Sequence, residues 1–238
     1  MTSNQNDLWD WEGKYLKVKV LYSRAGLATQ ILVFDEDKNQ TYLVDVGDGI
    51  LRDLFSLPKK FYENIEAVLC THGHFDHIGG LFSLLGFLRM INRTKSLFLI
   101  YPPGVIEIEG IVNTFQKSYS NSIPFEIKNI KIEKKIQIQE VTISPFHVQH
   151  RGSIIGWSEL LNIPALGYII EKNGEKILYT GDTGYFDDLK RLCTDIDFAL
   201  IEGTYKEKKT PFHLSTVEAE DLGKLAKNYK IVHQSHIE

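Results

Sequence analysis

The chain has 238 residues, 43% of them hydrophobic and 24% charged, a formal net charge of −4 and a pI near 6.1. It is long enough for a sizeable core, and its charge excludes the global positive field that draws nucleic acid or anionic membranes, leaving only local basic patches. Its two cysteines, Cys70 and Cys193, lie far apart and exclude a disulfide framework or a thiolate zinc site.

The opening "MTSNQNDLWDWEGK" has neither a basic nor an apolar leader segment, and "GGLFSLLGFLRMI" is too short and interrupted to span a bilayer. The expectation is a cytoplasmic protein with no membrane partner. Residues 1–14 read as a polar tail or edge segment, and 15–238 as one domain.

"YLKVKVLY" alternates, with Leu16, Val18 and Val20 against lysines. "TQILVFDED" and "QTYLVDVG" are β-rich runs joined by a turn, and "IEAVLCTH" is the continuous apolar run of a buried strand. "GGLFSLLGFLRMINR" has helical spacing and a basic end that suits a helix C-terminus. A strand, "SLFLIYPPG", and a helix within "VIEIEGIVNTFQKSY" follow, then a polar surface loop near Ser118–Ser122. The stretch from Ile127 to His150 alternates over two or three strands.

"ALGYIIEKNGEKILYTGD" is a hairpin turning at Asn173-Gly174. "FDDLKRLCTD" is a short helix and "IDFALIEG" a strand. "STVEAEDLGKLAKNY" is an amphipathic helix with a capping box at Ser215 and Glu218, and "KIVHQSHIE" is a last strand. Two sheets packed face to face, with helices on the outer faces, would bury this set of strands.

One stretch carries chemistry. "VLCTHGHFDHIGG" places His72, His74, Asp76 and His77 within six residues at the end of a buried strand. Residues two apart in extended chain face the same way, so His72 and His74 converge while Asp76 and His77 face a neighbouring point. Imidazole and carboxylate donors suit zinc. Gly73, Gly79 and Gly80 admit the crowded backbone. Chance would account for one His-x-His pair but poorly for this pattern. Each ion needs three or four ligands, so the partners must come from the remaining histidines: His147, His150, His213, His233 and His236.

"THGHFDHIGG" resembles the signature of the metallo-β-lactamase superfamily, and further family elements follow in order over nearly the whole chain. The resemblance implies an α/β fold, a four-layer αββα sandwich of two mixed sheets, and two divalent ions, zinc first, with manganese or iron also admitted. "VDVG" resembles the Asp-x-Gly element, with Asp45 supporting the metal loop. "SPFHVQH" resembles the strand end that supplies the next ligand, and His150 matches it better than His147. "YTGDTGYF" resembles the Gly-Asp-Thr element, with Asp182 as the bridging carboxylate. "KIVHQSHIE" resembles the terminal ligand strand, with His236 the better match and His233 the runner-up. The implied site is His72, His74 and His150 on one ion, and Asp76, His77 and His236 on the other, with Asp182 between.

Several features bear on the branch. Iron-dependent oxygen reductases of this fold use Glu where His74 stands, which disfavours them. "FHLSTVEAEDLGKLAK" is similar to the helix start of ribonuclease Z-like phosphodiesterases, which makes His213 the implied leaving-group acid. Lys206, Lys208 and Lys209, near the family-like "IEGTYKEKK", either meet phosphates or form a solvated loop. The tight hairpin at Asn173-Gly174 leaves no room for the long arm with which ribonuclease Z grips tRNA. A short insert, Arg151–Ala165 with Trp157, either lines a pocket or forms an interface. The length excludes the extra domain of the larger nucleases of the superfamily.

The expectation is a dinuclear hydrolase that cleaves a nucleotide- or nucleic-acid-type phosphodiester through a bridging hydroxide. In it Asp76 orients the nucleophile and His213 acts as the acid. An acyl hydrolase (lactonase, thioesterase or β-lactamase-like) is the alternative, and a metal-held binding module a third. The resemblance also admits a homodimer through "GFLRMI", although that run suits a core helix.

Overall fold

The structure, a computed structural model, describes residues 8–153 and 160–235. The early alternating runs form a meander: β1 (Trp11–Glu12), β2 (Leu16–Arg24), β3 (Ala28–Asp35) and β4 (Gln40–Val46), each antiparallel to the next. Three strands then join in parallel: β5 (Ile65–Leu69), β6 (Leu97–Tyr101) and β7 (Ile127–Lys131). Sheet one therefore runs in chain order from β1 to β7. Parallel strands need crossovers. These carry helices α1 (Ile50–Phe55), α2 (Lys60–Glu63), α3 (Phe75–Ile78), α4 (Leu81–Met90) and α5 (Ile106–Ser118).

Sheet two contains β8 (Ile136–Ile138) and β9 (Val141–His147), a two-stranded ribbon intervening before its next strand, β10 (Arg151–Ser153) with β11 (Leu160–Asn162). It continues with β12 (Leu166–Lys172), β13 (Glu175–Tyr179), β14 (Phe198–Glu202) and β15 (Tyr229–Val232), in the order β15-β14-β13-β12-β9-β8. The β12–β13 turn takes positive φ at Asn173 (50°) and Gly174 (84°), as an Asn-Gly hairpin turn requires. From β13 onward the strands are parallel, crossed by α6 (Asp188–Cys193) and α7 (Thr216–Gly223).

Three apolar layers make this a four-layer αββα sandwich. β3 is buried along its whole length because both of its faces are covered. Ile31 and Val33 point between the sheets, while Leu32 and Phe34 point to the helices of sheet one. β14 repeats the device. Phe198 and Leu200 join the inter-sheet core, and Ala199 and Ile201 face Leu189, Ala219 and Leu222 from the α6–α7 side. Each such aliphatic side chain contributes about 1.5–3 kcal/mol by burial.

The α7 capping box is complete. The Glu218 N–H donates to Ser215 Oγ, and the Ser215 N–H donates to the Glu218 carboxylate. The helix is shorter than its amphipathic pattern. It stops at Gly223, where a Cβ would collide with the Tyr229 ring, and the chain continues as tighter i to i+3 turns. "GFLRMI" lies mainly in α4, where Phe87 and Leu88 are buried and Met90 is exposed. No helix among the described residues is long and apolar enough to cross a membrane. Both cysteines are buried free thiols.

The two sheets bring several strand ends to one edge of the sandwich. β4 ends beside Asp45, β5 leads to His72, β9 to His150, β13 to Asp182, β14 ends at Glu202 and β15 leads to His233. All but β9 run parallel to a neighbour, and the carboxyl ends of such strands are where open α/β sheets place ligand sites.

Candidate metal centre

Each side chain is delivered by a strand end or by a turn that follows one. After β5 the chain turns sharply, so that His72, His74 and the short α3 follow within a few residues. The backbone of α3 lies close against the end of β4. A Cβ on Gly47 would strike the Asp76 carbonyl, and one on Gly80 would strike the Gly47 carbonyl. Asp45 itself sits at φ 55°, a strained setting for a residue with a Cβ. Its carboxylate accepts the Thr71 N–H (2.8 Å) and the Thr71 hydroxyl, and lies 2.7 Å from His77 Nδ1.

Two groups of donor atoms result. His72, His74, His150 and Asp182 form one, and Asp76, His77 and His233 the other. Asp182 faces both. Its Oδ2 lies 3.9 Å from His72 Nε2 and 3.8 Å from His150 Nε2. Its Oδ1 lies 3.4 Å from His77 Nε2 and 3.3 Å from His233 Nδ1. In the first group His150 Nε2 stands 3.1 Å from His74 Nδ1. In the second, His233 Nε2 stands 3.3 Å from His77 Nε2 and 3.2 Å from Asp76 Oδ2.

The outward ring nitrogens are held by the protein. His72 Nδ1 contacts Thr71 Oγ1 (3.0 Å), His77 Nδ1 contacts Asp45, and His150 Nδ1 donates to the Phe212 carbonyl at 3.1 Å. Imidazoles held in this way present their second nitrogen inward as a ligand.

The donor set fits divalent metal. His72 Nε2 and Asp182 Oδ1 are buried without a hydrogen-bond partner, which is costly for polar atoms unless something else meets them. Burial pushes His72 and His74 below the ordinary histidine value and brings His150 down to about 4, so these rings are neutral. Burial pushes the Asp76 carboxyl up, but the His233 hydrogen bond and His77 more than offset it and hold it at about 2. Neutral imidazole and ionised carboxylate are the forms that bind metal.

Of the residues singled out in the sequence, the fold brings together His72, His74, Asp76, His77, His150 and Asp182, with Asp45 behind them. His147 ends β9 exposed and stands in none of the donor groups. His236 and Trp157 lie outside the described residues. His233, weighed in the sequence as the runner-up to His236, is buried in the second group. Lys206, Lys208 and Lys209 are exposed. Lys208 lies over the Tyr205 ring, and Lys209 pairs with Glu218 at 3.4 Å.

His213 stands at the rim of the cluster, its ring 5.0 Å from that of His150 and 5.7 Å from that of His233. It also belongs to a third donor group with Asp182 and His233. Its Nδ1 lies 2.9 Å from Glu202 Oε1. Glu202 is buried and otherwise accepts the Thr183 N–H, the Thr204 N–H and the Thr204 hydroxyl. Burial lowers the proton affinity of His213, but the Glu202 hydrogen bond and charge outweigh it and the ring titrates above the ordinary value. A proton-loaded imidazole is a poor ligand and a good acid. The sequence showed Glu202 only as the first residue of a family-like Glu-x-Thr element. That this carboxylate orders His213 depends on β14 ending beside the loop before α7.

The chain is similar to known proteins in sequence and in fold. The ribonuclease Z of Thermococcus sibiricus is 25% identical over 238 aligned residues, covering 78% of this chain and 73% of that protein. The short form of human tRNase Z superposes with a TM-score of 0.75 at 20% identity, covering 92% of this chain and 93% of its own. The metallo-β-lactamase fold protein YhfI of Bacillus subtilis gives 0.73 at 19% identity, over 94% and 87%. A family model described as the β-lactamase superfamily domain matches residues 40–233. A match over that much of the chain places the protein in the β-lactamase superfamily, as a metal-dependent hydrolase.

Proposed function

We propose that the protein hydrolyses nucleotide-type phosphodiesters at a two-metal centre. His72, His74, His150 and Asp182 would hold one ion, and Asp76, His77, His233 and Asp182 the other. Imidazole and carboxylate donors suit zinc, and also admit manganese or iron. When bound, such a pair supplies Lewis acidity and an acidified water as nucleophile.

The chain's own groups do the rest. Asp76 keeps its charge through its contact with His233, so it can orient a water by accepting a hydrogen bond from it. His213 delivers a proton to the departing ester oxygen, and Glu202 holds its ring by Nδ1, leaving Nε2 as the nitrogen that donates. The observation that carries the phosphodiester reading is this His213–Glu202 pair at the edge of the donor cluster. An alkoxide leaving group, of a phosphodiester or of a lactone, needs such an acid, whereas the thiolate of a thioester does not. The ribonuclease Z relatives support the same substrate class. The two-residue turn of the β12–β13 hairpin argues for a short phosphodiester in place of tRNA.

The test is turnover by metal-defined protein on bis(p-nitrophenyl) phosphate, a dinucleotide, a lactone and a thioester. Metal-dependent cleavage of the phosphodiesters is expected. Cleavage of the acyl substrates alone would replace this reading with an acyl hydrolase.

A further inference from the structure

The two donor groups are supported differently. β15 is the edge strand of sheet two, so on one side its backbone has no ladder partner within that sheet. The β2–β3 turn of sheet one covers that side where the strand ends. Ser23 Oγ accepts the His233 N–H at 2.9 Å, and the Ala25 N–H donates to the Gln234 carbonyl at 3.3 Å. The same turn reaches Asp76, whose Oδ2 accepts the Gly26 N–H at 2.8 Å and meets His233 Nε2 at 3.2 Å.

His233 needs this support. Its φ is 56°, a left-handed setting that a residue with a Cβ adopts only when its surroundings impose it. Among the described residues, no hydrogen bond links the turn to His72, His74 or His150. His72 is held instead by Thr71 and His150 by the Phe212 carbonyl, and His74 meets His150.

We infer that the Ser23–Leu27 turn is a clip that governs the second metal position alone, with Ser23 as its positioning residue. This rests on the two-metal reading above. Ser23 sets the backbone from which His233 projects, and Gly26 fixes the oxygen of Asp76 that faces His233. The position of His72, His74 and His150 then keeps its ion without the clip, sharing with the clipped position only the Asp182 carboxylate that faces both.

The test is stepwise cobalt titration of metal-stripped protein, read by visible absorbance, with zinc content measured after gel filtration. The wild type is expected to bind two equivalents. Ser23→Ala is expected to keep the first at unchanged affinity and to weaken the second about tenfold or more, in the range known for residues that orient metal ligands. Ser23→Thr, which keeps the hydroxyl, should restore the second, and the isosteric Ser23→Val should not. The Thr and Val pair decides the matter if the alanine variant does not fold. Two equivalents at wild-type affinity in Ser23→Ala and Ser23→Val would overturn the clip and leave the two-metal reading intact. Equal weakening of both positions would overturn its selectivity. A single equivalent in the wild type would instead overturn the two-metal reading itself.

Discussion

Replacing Glu202 with glutamine removes one charge and one acceptor from a buried carboxylate whose oxygens are fully committed. Oε1 serves the Thr183 N–H and His213, and Oε2 serves the Thr204 N–H and hydroxyl. A glutamine amide has a single acceptor oxygen. Whichever way it is turned, its NH2 faces one of the two backbone N–H groups, and that donor is left buried and unpaired. The cost is about 1–3 kcal/mol of stability, or a fall in Tm of roughly 2–12 °C for a chain of this size.

The functional effect is separable from that cost. Glu202 raises the proton affinity of His213 against the opposing effect of burial. In the variant His213 therefore loses its proton at lower pH, and the falling alkaline limb of the pH–rate profile moves to lower pH. Turnover of an unactivated nucleotide ester should drop about a hundredfold or more, within the range for loss of a general acid. Bis(p-nitrophenyl) phosphate, whose leaving group departs without a proton, should lose far less. Stopped assays on the two substrates across pH, at a temperature where the variant is folded, provide the comparison. Equal losses on both substrates with an unmoved limb would refute the role assigned to His213 and Glu202.

Other outcomes follow from the same centre. Chelation should lower Tm, because each ion at a hundredfold excess over its Kd stabilises the fold by about 2.7 kcal/mol, or roughly 5–11 °C per site; an unchanged melting curve would count against metal in the native protein. His233→Ala should abolish the second equivalent of bound zinc while His236→Ala retains it, measured by elemental analysis; the reverse pattern would transfer the ligand role to His236. In the metal-stripped protein the folded-state value of His150 lies at about 4 against an ordinary 6.5. The unfolded chain therefore takes up this proton first, and stability is lost as pH falls from 6.5 towards 4. His150→Gln should flatten that part of a urea-midpoint profile, and an unaltered slope would show that His150 is not buried in neutral form.

The legible parts of the molecule were those written in residue type and spacing. His72 to His77 form a local run, Asp182 follows a β-strand in a Gly-Asp-Thr element, and the alternating and apolar runs mark the strands of both sheets. What escaped was written in backbone. Choosing between His233 and His236 depends on where β15 stops and on a left-handed turn at His233, and no residue type announces that turn. Ser23 and Gly26 act on main-chain atoms or through them, so they leave no motif. Glu202 reads only as the start of a family-like Glu-x-Thr element until His213 is seen beside it. The early end of α7 at Gly223, where the Tyr229 ring leaves no room for a Cβ, is not recorded by helical periodicity.

The most direct test of the central claim is phosphodiester turnover by metal-stripped protein as zinc is restored in measured steps. Turnover is expected to reach its plateau only at the second equivalent. A plateau at one equivalent would contradict the two-metal centre, and no turnover at any loading would contradict the phosphodiesterase.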